Sequence, residues 1–393
     1  MGKTVLLLQV ADDLLTRGWP PGNLTYFDFS DDRIVGSLSA REVVDARPAL
    51  ADPRHPHVFL LDEIGRAERW HDWLKQAVDR AGPGRERIVA TDSASTLLRQ
   101  GSRESGQGRW DLRRMEGLSF AEFASLSSPQ HTSPVDAVRM SPGLFERFLA
   151  RGGYPEHATS RDASVSEVRE RIRADIVDRA IRRDLQPLHD DPRVKDLFVY
   201  LMQTSGGIFD ARRRASDLGA DYRSLEAWRS ALEDTLLLAA LEQYPASKKA
   251  KKRLSSKPKL YAADHGLSVA FSPLPNPLED ANVRAQVFEA LVFRHLREHA
   301  GERHDRVTYA AMKGGEIDFV VDGSSGQLAI EVTCSKDPSS KVRQLHELGA
   351  EISADRLLLI HGGLIAERRG DVQLVPAADF ALSPVKFLLG GGA

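Results

Sequence analysis

The chain opens with the stretch Gly2-Lys3-Thr4-Val5-Leu6-Leu7-Leu8. A phosphate-binding loop reads G-x-x-x-x-G-K-[ST]: its backbone N–H groups surround phosphate, its lysine contacts the β- and γ-phosphates, and its hydroxyl binds Mg²⁺. Gly2, Lys3 and Thr4 fit the last three places of this pattern. The stretch therefore predicts nucleotide contacts at these residues, followed by a helix, although the tripeptide G-K-T also arises by chance.

A second stretch, Val58-Phe59-Leu60-Leu61-Asp62-Glu63, is an apolar run that ends in two carboxylates. Such a run is typical of a buried parallel strand, and parallel sheets bind ligands at their carboxyl edge. Phosphoryl transfer needs one carboxylate near Mg²⁺ and a second group that orients water, which predicts these roles for Asp62 and Glu63. The alternative is a strand followed by a helix whose first turn favours acids.

Two further strand-like runs, Leu24–Phe29 and Arg87–Ala90, flank the acidic strand along the chain. The order is then helix, strand, helix, acidic strand, helix, polar strand. This alternation predicts an α/β domain with a doubly wound parallel sheet. The polar residues after the third strand, Asp92 and Ser93, are candidates for contact with the γ-phosphate.

An ordered set of segments carries a resemblance to a known family. The chain resembles the prokaryotic AAA-type ATPases that carry a C-terminal domain of unknown function, DUF4143. The segments are Gly2-Lys3-Thr4, Phe27-Asp28, Leu60-Leu61-Asp62-Glu63, Thr91-Asp92-Ser93, Gly108-Arg109, Gly117–Phe123, Arg151–Glu156, Pro258–Leu267 and Gly315–Phe319.

The resemblance implies a P-loop nucleotide site with ATP and Mg²⁺ as cofactors. Gly2 and Lys3 would contact phosphate, Thr4 and Asp62 would hold Mg²⁺, and Asp62 with Glu63 would form the Walker B pair. ATP hydrolysis is the activity that it implies, with Glu63 as a catalytic residue.

Two more roles follow from the resemblance. Ser93 or Asp92 would be the sensor, although the family usually has T-G-S where this chain has Thr91-Asp92-Ser93. Arg109 would stabilise transition-state charge, donated by a neighbouring copy in a homo-oligomer. The alternative for Arg109 is a solvated surface charge in an arginine-rich stretch.

The first half of the phosphate-binding pattern is absent ahead of Gly2. We therefore expect that the true reading frame begins upstream and that Met1 is a misread internal start. The strand that would precede the loop would then also be missing, which would leave a sheet edge open.

Composition limits the class of protein. With 393 residues, 41% of them hydrophobic and 28% charged, the chain can form two or three globular domains. No apolar run reaches the roughly 20 residues that span a bilayer, and only one cysteine is present. These features predict a cytoplasmic protein without a membrane segment.

The net charge of −2 excludes a uniformly polybasic nucleic-acid binder. The densest basic segment runs from Lys248 to Arg253, with Lys257 and Lys259 nearby. It is either a solvated hairpin tip or a wing that follows a phosphate backbone.

The chain divides into four predicted regions. An ATPase domain over 1–126 precedes a helical lid over 143–190. Short helices joined by glycine-containing turns predict a winged-helix-like region over 191–271, with Tyr222, Arg223 and Arg229 on the recognition helix. Such modules bind DNA, bind protein, or cover an ATPase.

The last region, 280–388, resembles the restriction-endonuclease-like core written PD-(D/E)xK. Glu289 on a helix, and Asp318 and Glu331 on strands, form a candidate Mg²⁺ site. The E-x-K position reads Glu331-Val332-Thr333, so a lysine must come from elsewhere, and Lys336 and Lys313 are candidates. The alternative is that the acids are retained for structure.

The leading functional prediction is an ATP-binding AAA-type ATPase whose nucleotide state repositions the winged-helix-like and nuclease-like regions, with DNA as a candidate partner. The alternatives are a non-catalytic module that binds DNA or protein through degenerate sites, and a Mg²⁺-dependent nuclease.

Overall fold

The protein is described from a computed structural model. The described residues are 2–31, 40–45, 51–67, 69–80, 86–92, 110–111, 113–128, 133–141, 143–160, 162–176, 181, 185, 191–245 and 257–389. Contacts between residues divide the chain into two compact units, Met1–Met115 and Glu116–Ala393.

Unit 1, Met1–Met115, is built on a three-stranded parallel sheet. Its strands are β1 (Leu24–Asp28), β2 (His57–Asp62) and β3 (Glu86–Ala90), in the spatial order β1-β2-β3. Its helices are α1 (Lys3–Thr16), α2 (Ala40–Asp45) and α3 (Trp70–Arg80). The alternation predicted from sequence is confirmed within these described residues.

The central strand β2 is buried along its whole length. Val58 and Leu60 on one face pack against Leu7 of α1. Phe59 and Leu61 on the other face lie in a second apolar cluster that includes residues of α3. Burial on both faces explains why β2 reads as a continuous apolar run and not as an alternating one.

Unit 2, Glu116–Ala393, begins with five short helices: α4 (Phe120–Ser127), α5 (Pro134–Met140), α6 (Leu144–Arg151), α7 (Pro155–Ala158) and α8 (Val165–Asp175). The helix α4 lies at the end of the region 1–126 predicted as the ATPase domain, and its contacts group it with unit 2. The reason is that Phe120 and Phe123 are fully buried against Phe148 of α6.

The middle of unit 2 combines three helices with a small sheet. The helices are α9 (Pro192–Gln203), α10 (Ala211–Asp217) and α11 (Tyr222–Asp234). The strands β4 (Gly207–Ile208), β5 (Leu238–Leu241) and β6 (Lys259–Ala262) form an antiparallel sheet in the order β4-β6-β5.

The end of unit 2 is a six-stranded mixed sheet with helices. After α12 (His265–Phe271) and α13 (Ala281–Arg303) come the strands, in the spatial order β11-β12-β10-β9-β8-β7. The strands are β7 (Arg306–Met312), β8 (Gly315–Gly323), β9 (Gly326–Thr333), β10 (Arg356–His361), β11 (Glu367–Arg369) and β12 (Val372–Pro376). The remaining helices are α14 (Ser339–Glu351), α15 (Ala377–Leu382) and α16 (Pro384–Leu388).

A buried carboxylate, Asp264, joins its own segment to a segment that is distant in the sequence of unit 2. It accepts hydrogen bonds from the backbone N–H groups of Gly153 and Gly266, both at 2.8 Å. A Cβ added at Gly152 would lie 2.2 Å from Asp264 Oδ1 and 2.7 Å from the Cα of Gly266. The two glycine segments can therefore approach this carboxylate only because they lack side chains.

We expect Gly152→Ala to lower the melting temperature of unit 2 by several degrees. The added methyl would meet Asp264 and the Gly266 backbone, and Gly152 has a φ of +75°, which disfavours alanine. Overpacking of this kind costs about 1–3 kcal/mol. Thermal denaturation followed by circular dichroism measures the effect.

Gly301→Ala is the matched control, because it lies within α13 and its added Cβ would meet nothing within 4 Å. Alanine there is expected to be neutral or stabilising by about 0.5–1 kcal/mol. Equal melting temperatures for the two variants would contradict the role given to the Asp264 contacts.

Candidate functional site

The carboxyl end of β2 carries a buried acid. Asp62 is 1% exposed. Its Oδ1 accepts a hydrogen bond from the Thr91 hydroxyl, and its Oδ2 lies 3.5 Å from the hydroxyl of Tyr26. No lysine or arginine in the described part of the chain forms an ion pair with Asp62, so its charge is met by hydroxyl donors alone.

Glu63 follows Asp62 in a strained backbone conformation. Its φ is +51°, in the left-handed region that non-glycine residues rarely adopt. Its backbone N–H lies 3.4 Å from the Thr91 hydroxyl, and the next N–H, of Ile64, donates to the Thr91 carbonyl at 2.9 Å. Such strain persists where the surroundings enforce it, which is common at functional sites.

More acids lie at the same edge of the sheet. Asp28 ends β1 and is the register partner of Asp62, while Asp92 lies two residues beyond the end of β3 and is 8% exposed. Burial raises the pKa of the Tyr26 hydroxyl, and the charges of Asp62 and Asp28 raise it further. The edge is therefore electronegative and suited to a cation.

The helix α1 packs along one face of the central strand β2. Trp19, just after the helix, contacts the ring of His55 at the amino end of β2, with 5.4 Å between ring centroids. The helix has 14 residues and β2 has six, so each is about 20 Å long. Lys3 and Thr4 begin α1, and Leu7 in the same helix packs against Val58 and Leu60 of β2.

Gly2 caps α1 with a φ of +81°, a conformation that suits glycine. Lys3 is half-buried and Thr4 is exposed. The Thr4 hydroxyl and the Asp62 carboxylate are each hard oxygen donors of the kind that Mg²⁺ prefers.

Two predicted site residues, Ser93 and Arg109, lie outside the described residues. Thr91 is a contact that the sequence analysis did not assign. It follows β3 directly, and its hydroxyl reaches the carboxylate at the end of the neighbouring strand. Its position at the carboxyl end of a predicted parallel strand is the signal that could have identified it.

Comparison with known families matches three regions of the chain. Residues 1–124 match the family model described as an AAA domain, and residues 284–380 match a domain of unknown function, DUF4143. The chain carries an AAA domain followed by a DUF4143 domain. Residues 143–278, between them, match a second domain of unknown function, DUF8612.

A curated relative is an uncharacterized protein of Haemophilus influenzae. It is 23% identical over 276 residues, which cover 68% of this chain and 65% of the relative. The chain therefore spans less than two thirds of the length of this relative.

The DUF8612 region includes α11, the predicted recognition helix. Arg229 does not face a free surface there, because its guanidinium pairs with Glu226 at 2.7 Å and also with Glu233. Tyr222 is half exposed and lies under Arg212.

The basic segment from Lys248 to Arg253 lies outside the described residues. Lys257 pairs with Asp210 at 2.5 Å, so it is not a free member of a basic patch.

The predicted second metal site is a cluster of acids and lysines in the DUF4143 domain and β6. Lys259 Nζ, from β6, lies 2.9 Å from Glu289 Oε1 and 3.7 Å from Asp318 Oδ1, and it also pairs with Glu316. Lys341 Nζ, from α14, lies 2.5 Å from Glu331 Oε1. We call these four acids and two lysines the acid–lysine cluster.

The cluster places a lysine against every predicted ligand. The lysines are Lys259 and Lys341, and not Lys313 or Lys336, the two candidates from sequence. Lys259, named above as lying near the basic segment, is only 3% exposed and is therefore not part of a solvated patch. Sequence spacing could not show this, because Lys259 is 30 residues from Glu289 along the chain and reaches it through the fold.

Burial raises the pKa of two acids of the cluster. For Asp318 the pKa is well above its usual range, because of burial and then the charges of Glu289 and Glu331. For Glu331 burial also raises the pKa, against the lowering effect of Lys341. The negative charge of the neighbouring carboxylates, together with burial, thus favours the protonated form of Asp318.

Two groups of side chains outside the acid–lysine cluster, among the described residues, have the spacing of metal ligands. The groups of three ligand-type side chains with atoms within 4.8 Å of one another are Glu156–His157–Asp175 and His295–Glu298–His299. In the second group the guanidinium of Arg294 already lies 3.0 Å from His295 Nδ1 and 2.7 Å from Glu298 Oε2. A protein cation therefore holds these ligands together.

The raised pKa of Asp318 predicts a pH dependence. The folded protein binds this proton more tightly than the unfolded chain, so stability falls as pH rises from about 4, where an unfolded aspartate titrates, through the raised value. Asp318→Asn removes this titration and can still accept the 2.8 Å hydrogen bond from the Val332 N–H.

We expect the melting temperature of wild type, minus that of Asp318→Asn, to decrease as pH rises from acid to neutral. Thermal unfolding across a pH series measures it. A difference that stays constant with pH would show that Asp318 ionises normally in the fold.

No helix within the described ranges combines the length and apolar character needed to cross a membrane.

Proposed function

We propose that the AAA domain binds a magnesium nucleoside triphosphate at the carboxyl edge of its sheet and hydrolyses it. The observation that carries the proposal is Asp62, a buried carboxylate whose partners are the hydroxyls of Thr91 and Tyr26. A buried charge without an ionic partner is costly. A divalent cation bound with the nucleotide would stabilise it.

Lys3 and the amino terminus of α1 would bind the phosphates. The first N–H groups of a helix have no partner within the helix and carry partial positive charge, which favours a bound anion. Thr4 and Asp62 would hold Mg²⁺, which neutralises charge on the phosphate oxygens during transfer.

Glu63 would orient the attacking water and accept its proton. Its left-handed backbone turns the chain directly after β2, so that Asp62 and Glu63 occupy separate positions at the strand end. Thr91 is a positioning residue, since its hydroxyl joins Asp62 Oδ1 and its carbonyl fixes the turn at Ile64.

ATP turnover by the full chain tests this assignment. Glu63→Gln is expected to lower turnover by about 10²-fold or more and to retain nucleotide binding, because it removes the base but keeps the side-chain shape. Lys3→Ala is expected to weaken nucleotide binding itself, because it removes a phosphate contact.

Lys75→Ala is the matched control, since it removes a lysine of unit 1 from α3 and should leave both quantities unchanged. Equal turnover in wild type, Lys3→Ala and Glu63→Gln would reject the hydrolytic role.

We further propose that nucleotide state is coupled to unit 2, which would combine a winged-helix-like module with a nuclease-like fold. The support is topological: three helices with the β4-β6-β5 sheet in the first, and α13, β7, β8, β9, α14 and β10 in the second. On this proposal any contact with DNA comes from the segment between β5 and β6, because Arg229 of α11 is engaged by two acids.

Replacing Lys248, Lys249, Lys251 and Lys252 with alanine is expected to weaken DNA binding and to reduce its salt dependence, because fewer phosphate contacts release fewer counterions. Arg229→Ala should leave the salt dependence unchanged. Fluorescence anisotropy with duplex DNA over a salt series measures both. An equal loss in the two variants would contradict this assignment.

A further inference from the structure

The acid–lysine cluster has the charge of a cation site. Its four carboxylates, from Glu289, Glu316, Asp318 and Glu331, face the two ammonium groups of Lys259 and Lys341. Four negative and two positive charges leave a formal excess of two negative charges if every group is ionised. On the nuclease-like fold proposed above, such acids would hold a divalent cation.

Lys259 already occupies the position between these acids. An ammonium has three N–H donors and no acceptor, and Lys259 Nζ has three carboxylates around it. The distances are 2.9 Å to Glu289 Oε1 and 3.7 Å to Asp318 Oδ1, and the third partner is Glu316. Glu289 and Glu316 lie within hydrogen-bond distance of the ammonium, and Asp318 adds a longer ionic contact.

The strand that carries Lys259 fixes this position. Lys259 pairs with Ile208 of β4 on one side and with Leu241 of β5 on the other, so β6 is the central strand of its sheet. Tyr261, two residues along, donates to the same Glu289 oxygen at 2.5 Å. The backbone that carries the ammonium is therefore fixed by a strand that is paired on both edges.

The turn before β4 closes the cluster on the Glu289 side. A Cβ added at Gly206 would lie 3.3 Å from the Glu289 carboxyl group and 3.2 Å from the Tyr261 ring. Mg²⁺ needs near-octahedral oxygen ligands at about 2.0–2.1 Å and usually keeps several waters. The space around Glu289 is instead filled by an ammonium, a phenol and a backbone turn.

We propose that the Lys259 ammonium replaces the divalent cation at this cluster, so that the wild-type protein does not bind Mg²⁺ or Mn²⁺ there and β6 is locked to α13 and β8. The acids are thereby structural in the native protein, and a metal site exists only in latent form. Removing the ammonium would allow this latent site to bind a divalent cation.

Mn²⁺ binding to the full, nucleotide-free chain tests the proposal, measured by electron paramagnetic resonance and by thermal denaturation with and without Mn²⁺. Wild type and Asp318→Asn are expected to bind Mn²⁺ equally, because the cluster of the wild-type protein holds no Mn²⁺. Lys259→Met should be destabilised without metal and bind Mn²⁺ at least about tenfold more tightly than wild type, with a melting temperature that rises as Mn²⁺ is added.

The matched control is Lys313→Met, which removes a lysine from the turn between β7 and β8, outside the cluster, and should behave as wild type. The double variant Lys259→Met/Asp318→Asn should lose the gained binding, which would locate it at the cluster.

Two results would overturn the proposal. One is Mn²⁺ binding by wild type that disappears in Asp318→Asn, and the other is a folded Lys259→Met protein that gains no binding. If Lys259→Met does not fold, Lys259→Gln retains a hydrogen-bond donor and takes its place, while the wild-type comparison with Asp318→Asn still decides the first result.

Discussion

A buried carboxylate must be compensated by a donor or a cation, and this requirement separates the two units. In unit 2 the chain provides its own cations: Lys259 and Lys341 meet the acids of the cluster, and Arg294 joins His295 to Glu298. In unit 1 the partners of the buried acid Asp62 among the described residues are hydroxyl groups. The same physical need thus points to an external cation in unit 1 and to internal ones in unit 2.

The Asp264 contacts explain what several recognisable sequence segments do. Gly152-Gly153 and Gly266 allow backbone to reach a buried carboxylate, and Arg294 of α13 donates to the carbonyl of Gly117. These segments carried much of the resemblance in sequence, yet their contacts are those of a structural junction. Resemblance in such segments identifies an architecture without identifying a reaction.

Much of the fold could be predicted from the sequence where one pattern has one physical meaning. The apolar run before Asp62 and Glu63 is typical of a strand buried on both faces, and β2 is one. The helix after Asp221 ends at Asp234, and the leucine-rich residues that follow, Leu238–Leu241, form a strand. Leucine-rich segments fit either element, and pairing with β6 decides between them.

The contacts within the sites were less predictable because they join residues far apart in sequence. Thr91, at the end of β3, contacts Asp62 at the end of the neighbouring strand β2. Lys259, in β6, contacts Glu289 in the helix α13. The sequence offered Lys336 and Lys313 as candidates for the lysine that is missing from the E-x-K position. It could not decide which lysine approaches the acids, since side-chain partners depend on how sheets and helices pack. Arg229 shows the same limit, because a basic residue on a helix is free or paired according to neighbours at i−3 and i+4.

The central claim is that Asp62 is compensated by a divalent cation that arrives with a nucleotide. Calorimetric titration of the full chain with a non-hydrolysable ATP analogue, in Mg²⁺ and in EDTA, tests it most directly when wild type is compared with Asp62→Asn. The account predicts that Mg²⁺ strengthens binding to wild type and that Asp62→Asn loses this gain. Affinities for wild type that are equal with and without Mg²⁺, or the absence of binding in both, would contradict it.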